Sequence, residues 1–212
     1  MVNESVLVVP RSSIFPQAAP QGFIGQDIHV YLARMEFNYR FEPRALVEND
    51  PSLKQLIPYV VLTCRDNVFV VKRSSLQSEQ RLAGMHSIGI GGHINTTDVT
   101  QRKGPSVDAS GIGSEFMAIL REGLLREIKE EVCLAEVPEL SLKGLINDDS
   151  NSVGSVHLGL VYIARLRAAN IAIREKDMMS GSFVPVADLG RYYDSMETWS
   201  QIVIDSGCLD AL

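Results

Sequence analysis

Apolar residues fall along this chain in short blocks separated by polar, glycine- and proline-containing stretches, and the blocks lay out strands alternating with helices. Val6 to Val9 is a continuous apolar run stopped by Pro10, which predicts a short buried strand. The run Pro16 to Gly22 reads as loop, Gln26 to Met35 as a weakly periodic helix and Pro51 to Leu56 as a second, short one. Ile57 to Cys64 and Val68 to Lys72, rich in Val, Ile, Leu and Tyr and joined across Arg65-Asp66-Asn67, predict a hairpin. Further strands are expected over Leu142 to Ile146, Ser155 to Leu166 and Phe183 to Val186, with a last amphipathic helix over Asp194 to Ile204. His29, Tyr31, Phe37, Tyr39 and Phe41 make an aromatic patch that suits a core or dimer contact better than base stacking. Glu197 and Trp199 read as packing residues.

One block has helical spacing. Met117, Leu120, Leu124, Ile128 and Val132 recur every three or four positions, predicting a helix from Glu115 to about Val132 with Ser114 as N-cap. Beside that stripe, Glu127, Glu130 and Glu131 fall within an arc of roughly 100°. Carboxylates three and four positions apart repel by a few tenths of a kcal/mol per pair. A hard divalent cation offsets this, because Mg²⁺ takes carboxylate oxygens and leaves positions open for water and phosphate. Arg126 is placed to pair with Glu122 and Glu130 and so to orient the acids. Ahead of the helix, Ser87-Ile88-Gly89-Ile90-Gly91-Gly92-His93 ends an apolar run in paired glycines that let backbone approach a ligand closely.

Together these segments resemble the Nudix hydrolase signature: Gly, five residues, Glu, seven residues, Arg-Glu, an aliphatic, any residue, Glu-Glu, any residue, Gly, an aliphatic. Gly92 matches the opening glycine, Arg126 to Glu131 the acidic core, and Val132-Cys133-Leu134 the exit. The match departs in three places. Gly92 and Arg126 are 126 − 92 = 34 positions apart, about 20 more than the pattern has, so an insertion is expected between them. Counting back from Arg126, Ala118 stands where the pattern has Glu, and Cys133 stands at its closing glycine. Glu122 or Glu115 is a substitute for the missing acid.

The resemblance implies an α/β fold, a Nudix-type α/β/α sandwich with a mixed β-sheet. Residues 1–55 would be an N-terminal extension, and 56–212 the hydrolase domain, with 93–113 as an inserted loop at the mouth of the site. It implies metal-dependent hydrolysis of a phosphoanhydride in a nucleoside diphosphate linked to another moiety, with Mg²⁺, or alternatively Mn²⁺, as cofactor. The expected metal donors are Glu127, Glu130, Glu131 and Gly92, and the substrate contacts Gly91, Gly92, His93 and Arg73. Lys72 and Arg81 are further cations for phosphates. Accessory acids are expected among Glu122, Asp148, Asp149 and Glu175, while Asp98, Asp108 and Asp177 stay unassigned. A non-catalytic domain that binds a nucleotide or sugar phosphate is the alternative.

A net charge of −6 narrows the partners. Affinity for duplex nucleic acid or an anionic membrane comes from clustered Lys and Arg, so neither is expected, whereas a small polyanion is admissible once a metal reverses the local sign. Three cysteines, far apart and without C-x-x-C spacing, give no zinc or disulfide framework. With no basic leader and no long apolar stretch, the reading is a cytoplasmic protein, with homodimerisation through the N-terminal segment.

Overall fold

The computed structural model describes residues 4–73, 84–100, 115–174 and 179–210. The chain is α/β, with a mixed β-sheet and helices, and divides into two compact units. The first comprises Met1–Pro58, Gly91–Arg126 and Gly144–Leu160, and the second Tyr59–Ile90, Glu127–Lys143 and Val161–Leu212.

In chain order the elements begin β1 (Ser5–Pro10), α1 (Arg11–Ile14), β2 (Gly22–Ile24), α2 (Ile28–Asn38), β3 (Arg40–Pro43) and α3 (Arg44–Val47). They continue with β4 (Leu53–Cys64), β5 (Asn67–Arg73), β6 (His86–Ser87), β7 (Gly89–Gly91), α4 (Thr96–Thr100) and α5 (Glu115–Glu131). The last are β8 (Val132–Leu134), β9 (Glu139–Asn147), β10 (His157–Arg165), β11 (Ile171–Ile173), β12 (Met179–Pro185) and α6 (Thr198–Asp205).

In the first unit β1 lies antiparallel to both β3 and the start of β4, with Val8 opposite Arg40 on one side and Gln55 on the other. β2 pairs antiparallel with the end of β9, Phe23 opposite Ile146. Residues 1–55 thus contribute strands to the unit that also holds 91–126. Val6, Val8, Val47 and Leu53 form a buried apolar cluster. The helix expected at residues 51–56 is instead the opening of β4. Every residue of that twelve-residue strand is buried, including Lys54 and Gln55, so a run covered on both faces, not a one-sided helix, accounts for its apolar content.

In the second unit β5 sits between β4 and β12, Val68 opposite Thr63 and Val184. β6 also pairs with β5, placing Ser87 opposite Val71. The β4–β5 turn occupies residues 65–66, with Arg65 at φ 52 and Asn67 already in strand. β8 and β11 form a separate two-stranded ribbon.

α5 buries Phe116, Ile119, Leu120, Leu124 and Ile128. Ser114 lies outside the described residues, as do Arg81, Asp108, Glu175 and Asp177. So does most of the segment 93–113; its first part is structured, with Leu7 N–H donating to Ile94 O at 2.8 Å and α4 following. Among the described residues no helix is long and apolar enough to cross a membrane.

Candidate active site

Gly123, a weak helix former in the middle of α5, has a steric reason to be there. A Cβ at this position would stand 2.9 Å from Ile94 Cγ1 and 3.1 Å from Asp98 Oδ2. Its absence lets α5 run against the segment that leaves the glycine turn. Three residues on, Arg126 completes the junction. Its Nε donates to Asp98 Oδ1 at 2.8 Å, and its Nη2 to Asp98 Oδ2 at 3.1 Å and to the carbonyl of His93 at 2.7 Å. Asp98 is 1% exposed and also accepts from the Asn95 N–H at 2.9 Å. A two-point guanidinium–carboxylate pair of this kind fixes both position and angle. It ties the end of the Gly91-Gly92-His93 turn to the helix one residue before Glu127.

Asp98 is the acid that backward counting from Arg126 misses. Six positions after Gly92, it stands where the signature's first glutamate belongs when the count runs forward from the glycine. Ala118, the position reached by the backward count, is buried and apolar. The extra residues therefore lie after Asp98, and the spacing from glycine to first acid is intact.

Gly91 packs onto β4: a Cβ there would stand 2.3 Å from the carbonyl oxygen of Pro58. His93 is half-buried, and its Nε2 lies 3.2 Å from Nε2 of His157. Nδ1 of His157 donates to Val153 O at 2.7 Å, which leaves its Nε2 as acceptor and makes His93 Nε2 the donor. Burial, then Arg44, His157 and Arg126, push the His93 imidazole down to about 3. Burial also lowers His157, against the opposing pull of the Val153 carbonyl and Glu48, with Arg44 and Lys54 adding to the lowering. Both rings are neutral at pH 7.

Asp148 and Asp149 serve the same unit's framework. Asp149 accepts from Lys54 Nζ at 2.7 Å, from Arg11 Nη2 and from Asn147 at 3.1 Å. Burial raises the Asp149 carboxyl, but these donors outweigh it and hold it below its ordinary value. Lys54, fully buried, is lowered by burial, and its ammonium also donates to Gly154 O at 2.9 Å. Asp148 is bound by Gln21 at 2.8 Å and Asn151 at 2.8 Å. Glu122 lies 3.9 Å from Arg121.

The second unit carries Glu127, buried at 9% exposure, Glu131, half-buried, and Glu130, exposed, on the last turns of α5. They share one helix face as the sequence predicts. Among the described residues no three His, Cys, Asp or Glu side chains are gathered closely enough to hold a metal ion. The Arg73 side chain lies outside the described residues. Ahead of the glycine turn, Gly89 lies over Tyr59, where a Cβ would stand 2.0 Å from the ring. The Tyr59 hydroxyl donates to Glu197 Oε1 at 2.7 Å and lies 2.8 Å from Ser200 Oγ, which accepts from the Ile88 N–H at 3.0 Å. Glu197 caps α6 by accepting from the Trp199 and Ser200 amides. It thereby anchors the strand that leads into the glycines.

No family model matches the chain. It is 35% identical over 213 residues to Protein YmaB of Bacillus subtilis strain 168, an alignment covering 96% of this chain and 97% of that protein. Among solved structures, Tm1382, assigned to the Nudix hydrolases, is 28% identical over 99% of this chain and 100% of its own, with a TM-score of 0.77. The Nudix domain of Shewanella oneidensis NrtR, crystallised with ADP ribose, shares the fold at 15% identity and a TM-score of 0.50, over 75% of this chain and 89% of its own.

Proposed function

We propose, for a chain that belongs to the Nudix hydrolase superfamily and to the family of Protein YmaB, that it hydrolyses the phosphoanhydride of a nucleoside diphosphate linked to another moiety, with Mg²⁺ or Mn²⁺. The observation that carries this reading is the Arg126–Asp98 pair, which fixes α5 immediately ahead of its acids. The donor chemistry is that of a hard-cation site: Glu127, Glu130 and Glu131 carry carboxylate oxygens at helical spacings of three and four, and binding would have to draw together side chains that stand apart in this structure. A bound divalent ion would supply charge neutralisation of the diphosphate and a water of lowered pKa. Arg126 orients the helix, Gly91 and Gly92 admit the substrate close to the backbone, and one of the glutamates takes the proton of the attacking water. His93, neutral and held by His157, presents Nδ1 as an acceptor to substrate.

The test is product release from nucleoside triphosphates, nucleotide sugars, dinucleoside polyphosphates, ADP-ribose and dinucleotide cofactors, with Mg²⁺, with Mn²⁺ and with chelator. Glu127→Gln, Glu130→Gln and Glu131→Gln run beside wild type. Metal-dependent turnover reduced by orders of magnitude in the variants supports the proposal. Metal-dependent binding without turnover would replace it with a binding module. Cytoplasmic location and a homodimer through the N-terminal segment belong to the same proposal; a monomeric mass by light scattering would overturn the latter.

A further inference from the structure

A cleft of about 270 Å³ lies wholly within the second unit, on the sheet face formed by β5, β12 and β6. The strand registers give it a row of polar groups. Lys72 stands directly opposite Ser180 on β12 and directly opposite His86 on β6. The three side chains therefore leave neighbouring strands side by side, their Cβ atoms about 5 Å apart. The next row sets Val70 opposite Ser182, with Val184 beyond it, both valines buried.

Each polar group has a defined role. Lys72 is exposed, and among the described residues it has no acidic partner and no carboxylate lines the cleft. Within that set it is a cation in a concave setting. The Ser195 hydroxyl donates to Tyr192 O at 2.7 Å, so the 2.9 Å contact between Ser195 Oγ and His86 Nδ1 requires His86 to be the donor. His86 Nε2 is then a lone-pair acceptor. Burial, then Lys72, lowers this imidazole, which keeps it neutral. Tyr192 stands edge-on to His86, ring centroids 5.2 Å apart, and closes one wall.

We propose that this cleft binds a small sugar phosphate, with the phosphate on Lys72 and the Ser180 hydroxyl, a sugar hydroxyl donating to His86 Nε2, and the carbon face of the sugar on Val70 and Val184. The volume, just below the usual small-molecule range of about 300 to 1,000 Å³, suits a single phosphorylated sugar. The assignment does not rest on the hydrolase reading.

Long-range ¹H–¹⁵N spectra of the histidine rings, recorded on the whole chain with chelator present so that no metal takes part, test it with ribose 5-phosphate as probe. His86→Gln assigns the His86 signals. A saturable shift of His86 Nε2 is expected, with Lys72→Met weakening binding at least about tenfold, Ser180→Ala weakening it less, ribose alone without effect, and inorganic phosphate at least about tenfold weaker. An unchanged indole N–H signal from Trp199, in the same unit as the cleft, reports that the variants remain folded. No saturable shift, equal affinity in Lys72→Met, or inorganic phosphate binding as tightly as the sugar phosphate would each overturn the proposal.

Discussion

Asp98→Asn is the substitution that tests whether the glycine turn and the acidic helix are fastened by one ion pair. The carboxylate accepts three hydrogen bonds, two from Arg126 at 2.8 and 3.1 Å and one from the Asn95 amide at 2.9 Å. An isosteric carboxamide has one acceptor oxygen, so either orientation sets its NH₂ against a buried donor. The guanidinium also loses the Asp98 charge while remaining largely buried, at 15% exposure against 1% for Asp98. One lost charge-assisted bond costs roughly 1.5–3 kcal/mol, and stripping one partner from a buried pair roughly 3–5 kcal/mol. The expected loss is about 3–4 kcal/mol, a large part of a typical stability of about 5–15 kcal/mol. For a chain of this size it corresponds to a fall in Tm of roughly 10 °C. Denaturant unfolding of wild type, Asp98→Asn, Arg126→Met and the double variant gives both the cost and the coupling, expected at about 1.5–3 kcal/mol. A cost below about 1 kcal/mol together with additive single effects would refute the idea that this pair holds the junction.

Three further outcomes follow from the packing and the titrations. Gly89→Ala puts a methyl into the Tyr59 ring, which Glu197 and Ser200 hold in place; a loss of about 3 kcal/mol is expected by denaturant unfolding, and a change under about 0.5 kcal/mol would count against that contact. Lys54→Met leaves Asp149 with Arg11 and Asn147 but without its buried ammonium, and about 3 kcal/mol should be lost, read as a shift in the denaturant midpoint without a change in slope. His93 has a folded value of about 3 against 6.5 in the unfolded chain, so the unfolded chain binds more protons between those values. Stability therefore falls as pH drops from 6.5 towards 3, by up to about 4 kcal/mol from this group, with His157 adding in the same direction. His93→Gln should flatten that slope, and an unchanged slope would remove His93 as its source.

What the sequence made legible was whatever repeats at a fixed period. Most of the stripe of α5 depends only on 3.6 residues per turn: Leu120, Leu124 and Ile128 are buried as expected, Phe116 and Ile119 are buried where Met117 was expected, and the helix ends at Glu131. The β4–β5 hairpin depends on β-branched alternation around a turn, and it is present with its turn one residue tighter than expected. The start of β4 was illegible because Lys54 is buried against Asp149, 95 positions away, and nothing local encodes that partner. The partners of Asp148 and Asp149 were illegible for the same reason, since their donors Gln21, Arg11 and Lys54 come from other elements.

Asp98 is the instructive case, because its signal was in the sequence and the direction of counting hid it. Spacing is kept in space only where the intervening chain is held, and the stretch from Gly92 to Asp98 is held. Leu7 donates to Ile94, Val6 bridges to Asn95, and the Asn95 amide returns to Asp98. Extra residues between Gly92 and Asn95 would break the pairing of Leu7 with Ile94 and of Val6 with Asn95, whereas lengthening an unconstrained connection costs little, growing only as the logarithm of its length. The anchor for a broken motif is therefore the rigid glycine turn, not the helix beyond the insertion. From that end Arg126 finds its acid at the expected position, with Gly123 clearing the space for the two to meet.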